Sequence, residues 1–166
     1  MVPELLARID RWLSTSRPDY YARLQPGVTA AQLDQFEERF SVRLPVAFRL
    51  LYKWRNGQEP TYFRSIQMNW MLMPLEDIAD TKGMLDGMIG SDFASSDWWR
   101  REWVPFLHNG GGDRLVVDLG GFDGGQPRQL LTFWHDDPDR PVSYPNLEAW
   151  LTDLADSMED GSLELV

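Results

Sequence analysis

With 166 residues, no cysteine and a formal net charge of −10 from 26 acidic and 16 basic side chains, the chain excludes disulfide staples, thiolate metal sites and a cysteine nucleophile. That length suits a single domain over 1–166 that buries roughly two-thirds of its unfolded surface, so a hydrophobic core suffices for stability. The acidic surface repels phosphate backbones, so a protein partner is expected and no nucleic acid, while the start MVPELLARIDRW and the lack of any long apolar run point to a cytoplasmic protein with no membrane role.

Leu5, Leu6, Ile9, Trp12 and Leu13 fall at helical spacing after Pro3, which predicts an amphipathic helix over 4–13. Residues 14–28, punctuated by Pro18, Pro26 and Gly27, read as a connection across the surface, pinned by its tyrosines. Thr29 with Gln32 three residues on is a capping-box signature, and Leu33, Phe36 and Phe40 give the following helix a core face. In LPVAFRLLYKWRNG, over 44–57, Pro45 suits a helix start and Asn56–Gly57 a left-handed stop.

Ile66, Met68, Trp70 and Leu72 alternate at spacing two within 62–73, which favours a strand ended by Pro74. Leu75, Ile78, Leu85 and Met88 with Ile89 suggest a further core helix, weakened by Gly83 and Gly87, each costing about 1 kcal/mol relative to alanine. Ser91–Arg101 (SDFASSDWWRR) reads as a polar loop or a short helical turn. Next, WVPFLHNGGGDRLVVDL over 103–119 places two β-prone runs on either side of a glycine-rich reversal, a hairpin signal. A third run, LLTFW over 130–134, follows another breaker-rich turn and extends the sheet. After the crossing HDDPDRP, Asn146 can cap a last helix whose stripe is Leu147, Trp150, Leu151, Leu154 and Met158, closed by Gly161, and the tail SLELV can add an edge strand.

Four pieces in this order resemble the SUKH superfamily, which joins fungal cell-wall assembly regulators of the Smi/Knr type to bacterial immunity proteins: TAAQLDQFEERF, LPVAFRLLYKWRNG, WVPFLHNGGGDRLVVDL with LLTFWHDD, and NLEAWLTDLADSME. The resemblance covers a core of about 28–158 and departs from the pattern in the N-terminal helix, the tryptophan pair and the aromatic segment TYFRSIQMNWMLM. It implies an α+β fold, a single mainly antiparallel β-sheet packed by about four helices, and a role without enzymatic chemistry. Bacterial relatives are expected to bind and neutralise a cognate toxin, fungal ones to act as regulatory scaffolds for several partners.

The residues offer little chemistry of their own, and neither a cofactor nor a catalytic residue is expected. His108 with Asn109–Asp113 could cradle a phosphate on glycine N–H groups, but the pattern lacks any nucleotide-loop spacing and fits a hairpin turn. His135, Asp136, Asp137 and Asp139 have the donor chemistry of a divalent-metal site, which would permit a metal-dependent hydrolase; proline-broken spacing fits an acidic loop better, and no bound metal is expected. Asp118 and Asp123 flank glycines as turn-formers do, and no G-x-S-x-G elbow accompanies the two histidines. Surface recognition remains. Trp98 and Trp99 sit in a polar stretch, where an exposed indole would make a binding anchor, and Asp92, Asp97, Asp123, Asp136, Asp137 and Asp139 would form an acidic rim steering a basic toxin domain.

Overall fold

The hairpin that the sequence predicts forms the middle of the main sheet. In the computed structural model, which describes residues 1–93, 95 and 97–166, β4 (Trp103–His108) and β5 (Arg114–Asp118) pair antiparallel with Val104 opposite Val117 and Leu107 opposite Leu115. A bulge between Pro105 and Leu107 breaks the register, at the one residue of β4 that has no N–H to donate. β3 (Met71–Leu72) joins the outer side of β4, while β6 (Gln129–Phe133) and β7 (Val142–Tyr144) extend the other side, giving a five-stranded antiparallel sheet in the order β3-β4-β5-β6-β7. β1 (Leu24–Pro26) and β2 (Arg55–Gln58) make a separate two-stranded ribbon.

Alternation along the strands divides the core in two. Val104, Phe106, Leu115, Val117 and Leu130 face a large cluster built with α1 (Val2–Ser16), α4 (Val46–Trp54) and α6 (Leu147–Asp160). Trp103, Val116, Leu131 and Phe133 face the opposite way, onto a smaller cluster with Trp99 and with Leu85 of α5 (Leu75–Gly87). Each wholly buried side chain of this size contributes about 1.5–3 kcal/mol; the central strands β4, β5 and β6 thus carry core on both faces, while β7 at the edge is mostly exposed, and the arrangement is the expected α+β one.

Side-chain caps fix the starts of two helices, α3 (Ala30–Phe40) and α6. Thr29 caps α3, with its side chain and that of Gln32 satisfying each other's backbone N–H. Asn146 Oδ1 accepts the Ala149 N–H at 2.8 Å, and Gly161 closes α6 in the left-handed region. α1 runs further than predicted at both ends, because Val2 as well as Leu5, Leu6, Ile9 and Leu13 is buried.

Several sequence expectations are corrected. The connection over 14–28 contains a short helix, α2 (Pro18–Tyr21), and strand β1; buried Tyr20 fixes it by donating to Gln58 Oε1 at 2.7 Å, and Tyr21 by donating to Asp10. Asn56–Gly57 does not stop α4. The backbone passes from Trp54 straight into β2, where Asn56 Oδ1 accepts the Leu75 N–H at 2.7 Å and so caps α5 instead. Gly57 adopts φ +65° with the Met73 backbone 2.6 Å from where a Cβ would stand, so its freedom serves a close crossing of two segments.

The strand expected over 62–73 shrinks to Met71–Leu72, since the chain reverses at Gln67–Trp70 with Met68 at φ +51°. Alternation of apolar residues there reflects a reversal that buries Ile66 and Met71, while leaving Met68 exposed. β7 follows a crossing read only as breaker-rich, and the tail pairs through Leu165 alone, in a parallel bridge to Met68. The stretch 91–101 is a loop without a helix among its described residues; Ala94 and Ser96 lie outside them. No described helix is long and apolar enough to cross a membrane.

Candidate protein-binding face

The smaller core cluster supports a surface built from two loops, 88–102 and 134–141. At its base Trp99 is 1% exposed, with its ring set edge-on against Trp103 at 5.5 Å and Phe133 at 5.3 Å. Its indole N–H donates to Asp86 Oδ1 at 2.8 Å. Trp99 is therefore removed from the candidate binding residues: the sheet face left uncovered by α1, α4 and α6 needs an apolar lid, and this side chain is that lid.

Lys82, which the sequence did not mark, secures the lid from below. Its ammonium is wholly buried, lies 3.2 Å from Asp86 Oδ2 and donates to the carbonyls of Arg101 and of Trp103, the latter at 3.0 Å. Burial pushes its pKa down, while Asp86 pulls it back up. A lysine four residues before an aspartate ordinarily reads as an exposed helix pair, so local sequence carried no signal of this staple.

Trp98 is half-buried, and Arg140 holds it. The Arg140 guanidinium lies 4.9 Å from the Trp98 ring centre and 4.5 Å from that of Phe133. It donates to the Trp98 carbonyl at 2.9 Å, to that of Asp137 at 2.6 Å and to that of Asp139 at 2.7 Å. One side chain, 9% exposed, thus binds both loops into a unit. With its donors committed to carbonyls, the carboxylates of Asp137 and Asp139 are left facing solvent.

The other predicted acids gather around this unit to different degrees. Asp97 is exposed but pairs with Arg100, whose guanidinium also lies 4.9 Å over the Phe122 ring. Phe122 packs on Trp103 at 5.5 Å, which brings the exposed Asp123 to the same end. Asp92 is exposed beside Phe93, whose ring centre is 6.5 Å from that of Trp98. Asp136 goes with the hairpin turn instead.

That turn settles where the glycine N–H groups are spent. Gly110 N–H donates to His108 Nδ1 at 3.2 Å and Gly111 N–H to Asn109 Oδ1 at 2.9 Å, so the loop closes on itself as a hairpin turn does. Asp118 is a turn-former too: fully buried, it accepts from the N–H groups of Gly120, Gly121 and Phe122 and from Gln129.

The metal-type cluster differs from the expected one. His135 Nδ1 lies 2.8 Å from Asp113 Oδ1, and Asp113, His135 and Asp136 bring ligand atoms within 4.8 Å of one another. Asp137 and Asp139 stay out of it, with Asp137 Oδ1 instead accepting the Asp139 N–H at 2.8 Å. Asp113 is already engaged, accepting from the His135 backbone and from Asn109 Nδ2. Such a hydrogen-bonded trio, with His135 and Asp136 exposed, has the donors for a divalent ion but stands on an open surface, without the enclosing cavity of a catalytic metal site. Among the described residues neither histidine is hydrogen-bonded to a serine.

Comparison with known proteins gives a consistent setting. The family model described as SMI1 / KNR4 family (SUKH-1) matches residues 27–153. The chain is 23% identical to KNR4/SMI1 homolog 2 of Debaryomyces hansenii over 99% of its own length and 36% of that protein's. It is 25% identical to the cell wall biosynthesis/cell cycle regulator smi1 of Schizosaccharomyces pombe, over 96% of the chain and 36% of that protein. With the glucan synthesis regulatory protein of Neurospora crassa it shares 24% identity over 92% of the chain and 37% of the relative. The chain therefore spans little more than a third of the length of these relatives.

Proposed function

The chain belongs to the SMI1 / KNR4 family (SUKH-1), and from that premise we propose that it is a non-enzymatic binding domain, an immunity protein that occludes a basic toxin domain in the cytoplasm. The observation that carries this reading is the loop unit held by Arg140, which ties the half-buried Trp98 to the exposed Asp137 and Asp139. Charges on such a rim speed encounter with a basic partner, and an aromatic anchor slows release. No cofactor enters the proposal.

The test is co-expression and co-purification with each secreted toxin encoded beside the gene. A one-to-one complex, protection of the producing cell and an association rate that falls with salt are expected. Trp98→Ala should raise the dissociation rate, while Asp136→Asn with Asp137→Asn and Asp139→Asn should slow association by about tenfold. Neither complex nor protection with any neighbouring toxin would end the proposal.

A second reading, a regulatory scaffold that gathers several proteins at modest affinity, is favoured by the printed names of the fungal relatives, which are regulators of cell-wall and glucan synthesis. Several specific partners in pull-downs, each lost on changing a different surface patch, would support it against the first.

A further inference from the structure

A second surface, carrying three arginines, lies on other elements of the fold. The loop between β2 and β3 carries Phe63 at 74% exposure, the most exposed aromatic ring among the described residues. Its neighbours hold it in a fixed shape. Gln58, itself 2% exposed, donates from Nε2 to the carbonyls of Tyr62 and Arg64 at 2.8 Å each, and Tyr62 N–H closes a turn on the Glu59 carbonyl at 2.9 Å. Phe63 is thus clamped by backbone bonds on either side, so little ordering entropy would be lost when it meets a partner.

Arginines gather on the tyrosines next to it in the fold. Arg17 stacks 4.3 Å over the Tyr20 ring, Arg23 stacks 5.1 Å over Tyr62, and the two tyrosine rings lie 6.0 Å apart. Arg64 follows Phe63 directly and is exposed. Of these, Arg23 pairs with Glu59 at 3.0 Å, whereas among the described residues neither Arg17 nor Arg64 has a carboxylate within ion-pair distance. Arg17 Nη1 is buried and makes no hydrogen bond. Burial, and to a smaller degree the like charge of Arg64, also hold the Arg17 guanidinium below the ordinary arginine range. Arg64 is exposed and, among the described residues, has no carboxylate partner, so its charge is open to an anion.

We propose that Phe63, Arg17 and Arg64 form a docking surface for an acidic polypeptide, which seats an apolar side chain against Phe63 and its carboxylates beside the arginines. The argument for this occupant is charge complementarity: a chain of net charge −10 keeps arginines here without carboxylate partners, around the kind of aromatic anchor that dominates interface energetics. The surface is separate from the acidic loop unit, so one chain can hold a basic and an acidic partner together.

The probes are two dodecapeptides, one alternating glutamate with leucine and one alternating lysine with leucine, titrated into the isotope-labelled chain and followed by amide NMR. The acidic peptide should shift the amides of Arg17, Phe63 and Arg64, the basic one should leave them in place, and the acidic affinity should fall with salt. Phe63→Ser and Arg64→Ala alter exposed side chains, so both variants should fold, and each should weaken the acidic peptide at least fivefold. Arg17→Lys keeps the charge but not the fork, and should weaken it as well. Absence of shifts at millimolar acidic peptide, equal shifts with both peptides, or concentration-dependent self-association mapping to Phe63 would each overturn the proposal. The last would make a second copy the occupant. Changes at Asp136, Asp137 and Asp139 should leave this binding intact, which separates it from the toxin-binding reading.

Discussion

Lys82 and Asp86, one turn apart on α5, form an ion pair at 3.2 Å with the ammonium at 0% exposure, and the pair holds Trp99 and β4 in one polar knot. Truncating one partner leaves the other charge buried and unanswered, which costs about 3–5 kcal/mol. Lys82→Ala should therefore lower the free energy of unfolding by that amount in urea titrations followed by tryptophan fluorescence. Lys82→Met with Asp86→Asn keeps an acceptor for the Trp99 N–H and removes both charges, so it should recover more than half of the loss. A double variant no more stable than Lys82→Ala would mean that the pair is not what binds the knot.

Where the chemistry is local, the sequence was legible. The capping box of Thr29 and Gln32, the Asn146 cap, and the Gly110 and Gly112 turn depend on neighbours within a few residues, and all form. Asn56–Gly57 reads as a helix stop because a left-handed glycine carries the same local mark whether it ends a helix or lets two segments cross, and the Met73 backbone decides between them. The candidate face was half legible for the same reason. The acids of 136–139 stand exposed, but the burial of Trp99 depends on an uncovered sheet face, and the role of Arg140 depends on carbonyls from two loops.

The two adjacent tryptophans should part company when changed. Trp99→Ala empties the space between Trp103 and Phe133 and frees Asp86 of a donor, so a loss of about 3–5 kcal/mol is expected, as for other large aromatic truncations in cores. Trp98→Ala gives up its contact with Arg140, worth about 0.5–1 kcal/mol at a partly exposed site. Chemical denaturation of both variants checks this, and equal losses would refute the assignment of one ring to the core and one to the surface.

Two glycines with similar backbones predict different costs. Gly57 and Gly124 have φ of +65° and +71°, but only Gly57 has another backbone, that of Met73, 2.6 Å from a would-be Cβ. An alanine at either site meets the left-handed penalty of about 1–2 kcal/mol. Gly124→Ala should show that and no more. Gly57→Ala must also push apart β2 and the segment leading into α5, so its loss in urea unfolding should be at least twice as large.

The histidines should titrate on opposite sides of the ordinary value of 6.5. The hydrogen bond from His135 to Asp113 raises the His135 pKa, whereas burial, with the charge of Arg114 adding to it, lowers that of His108. Two separate Cε1–H titration curves are expected by proton NMR, and Asp113→Asn should bring the upper one down towards 6.5 while leaving the lower in place. Linkage fixes the sign for stability. Because the folded state binds the His135 proton more tightly, this pair stabilises fully below 6.5 and its contribution fades as pH rises through the folded pKa. For His108 the unfolded state binds the proton more tightly, so stability climbs as pH rises from its folded pKa to 6.5. Asp113, whose burial would raise its pKa, is held below 3.8 by the hydrogen bonds from His135 and Asn109, and its contribution is lost as pH falls through that depressed value. Removing Asp113 should consequently flatten the fall in stability above 6.5 and leave the His108-dependent rise below it, and superimposable pH profiles for the two proteins would show that the pair does not form in solution.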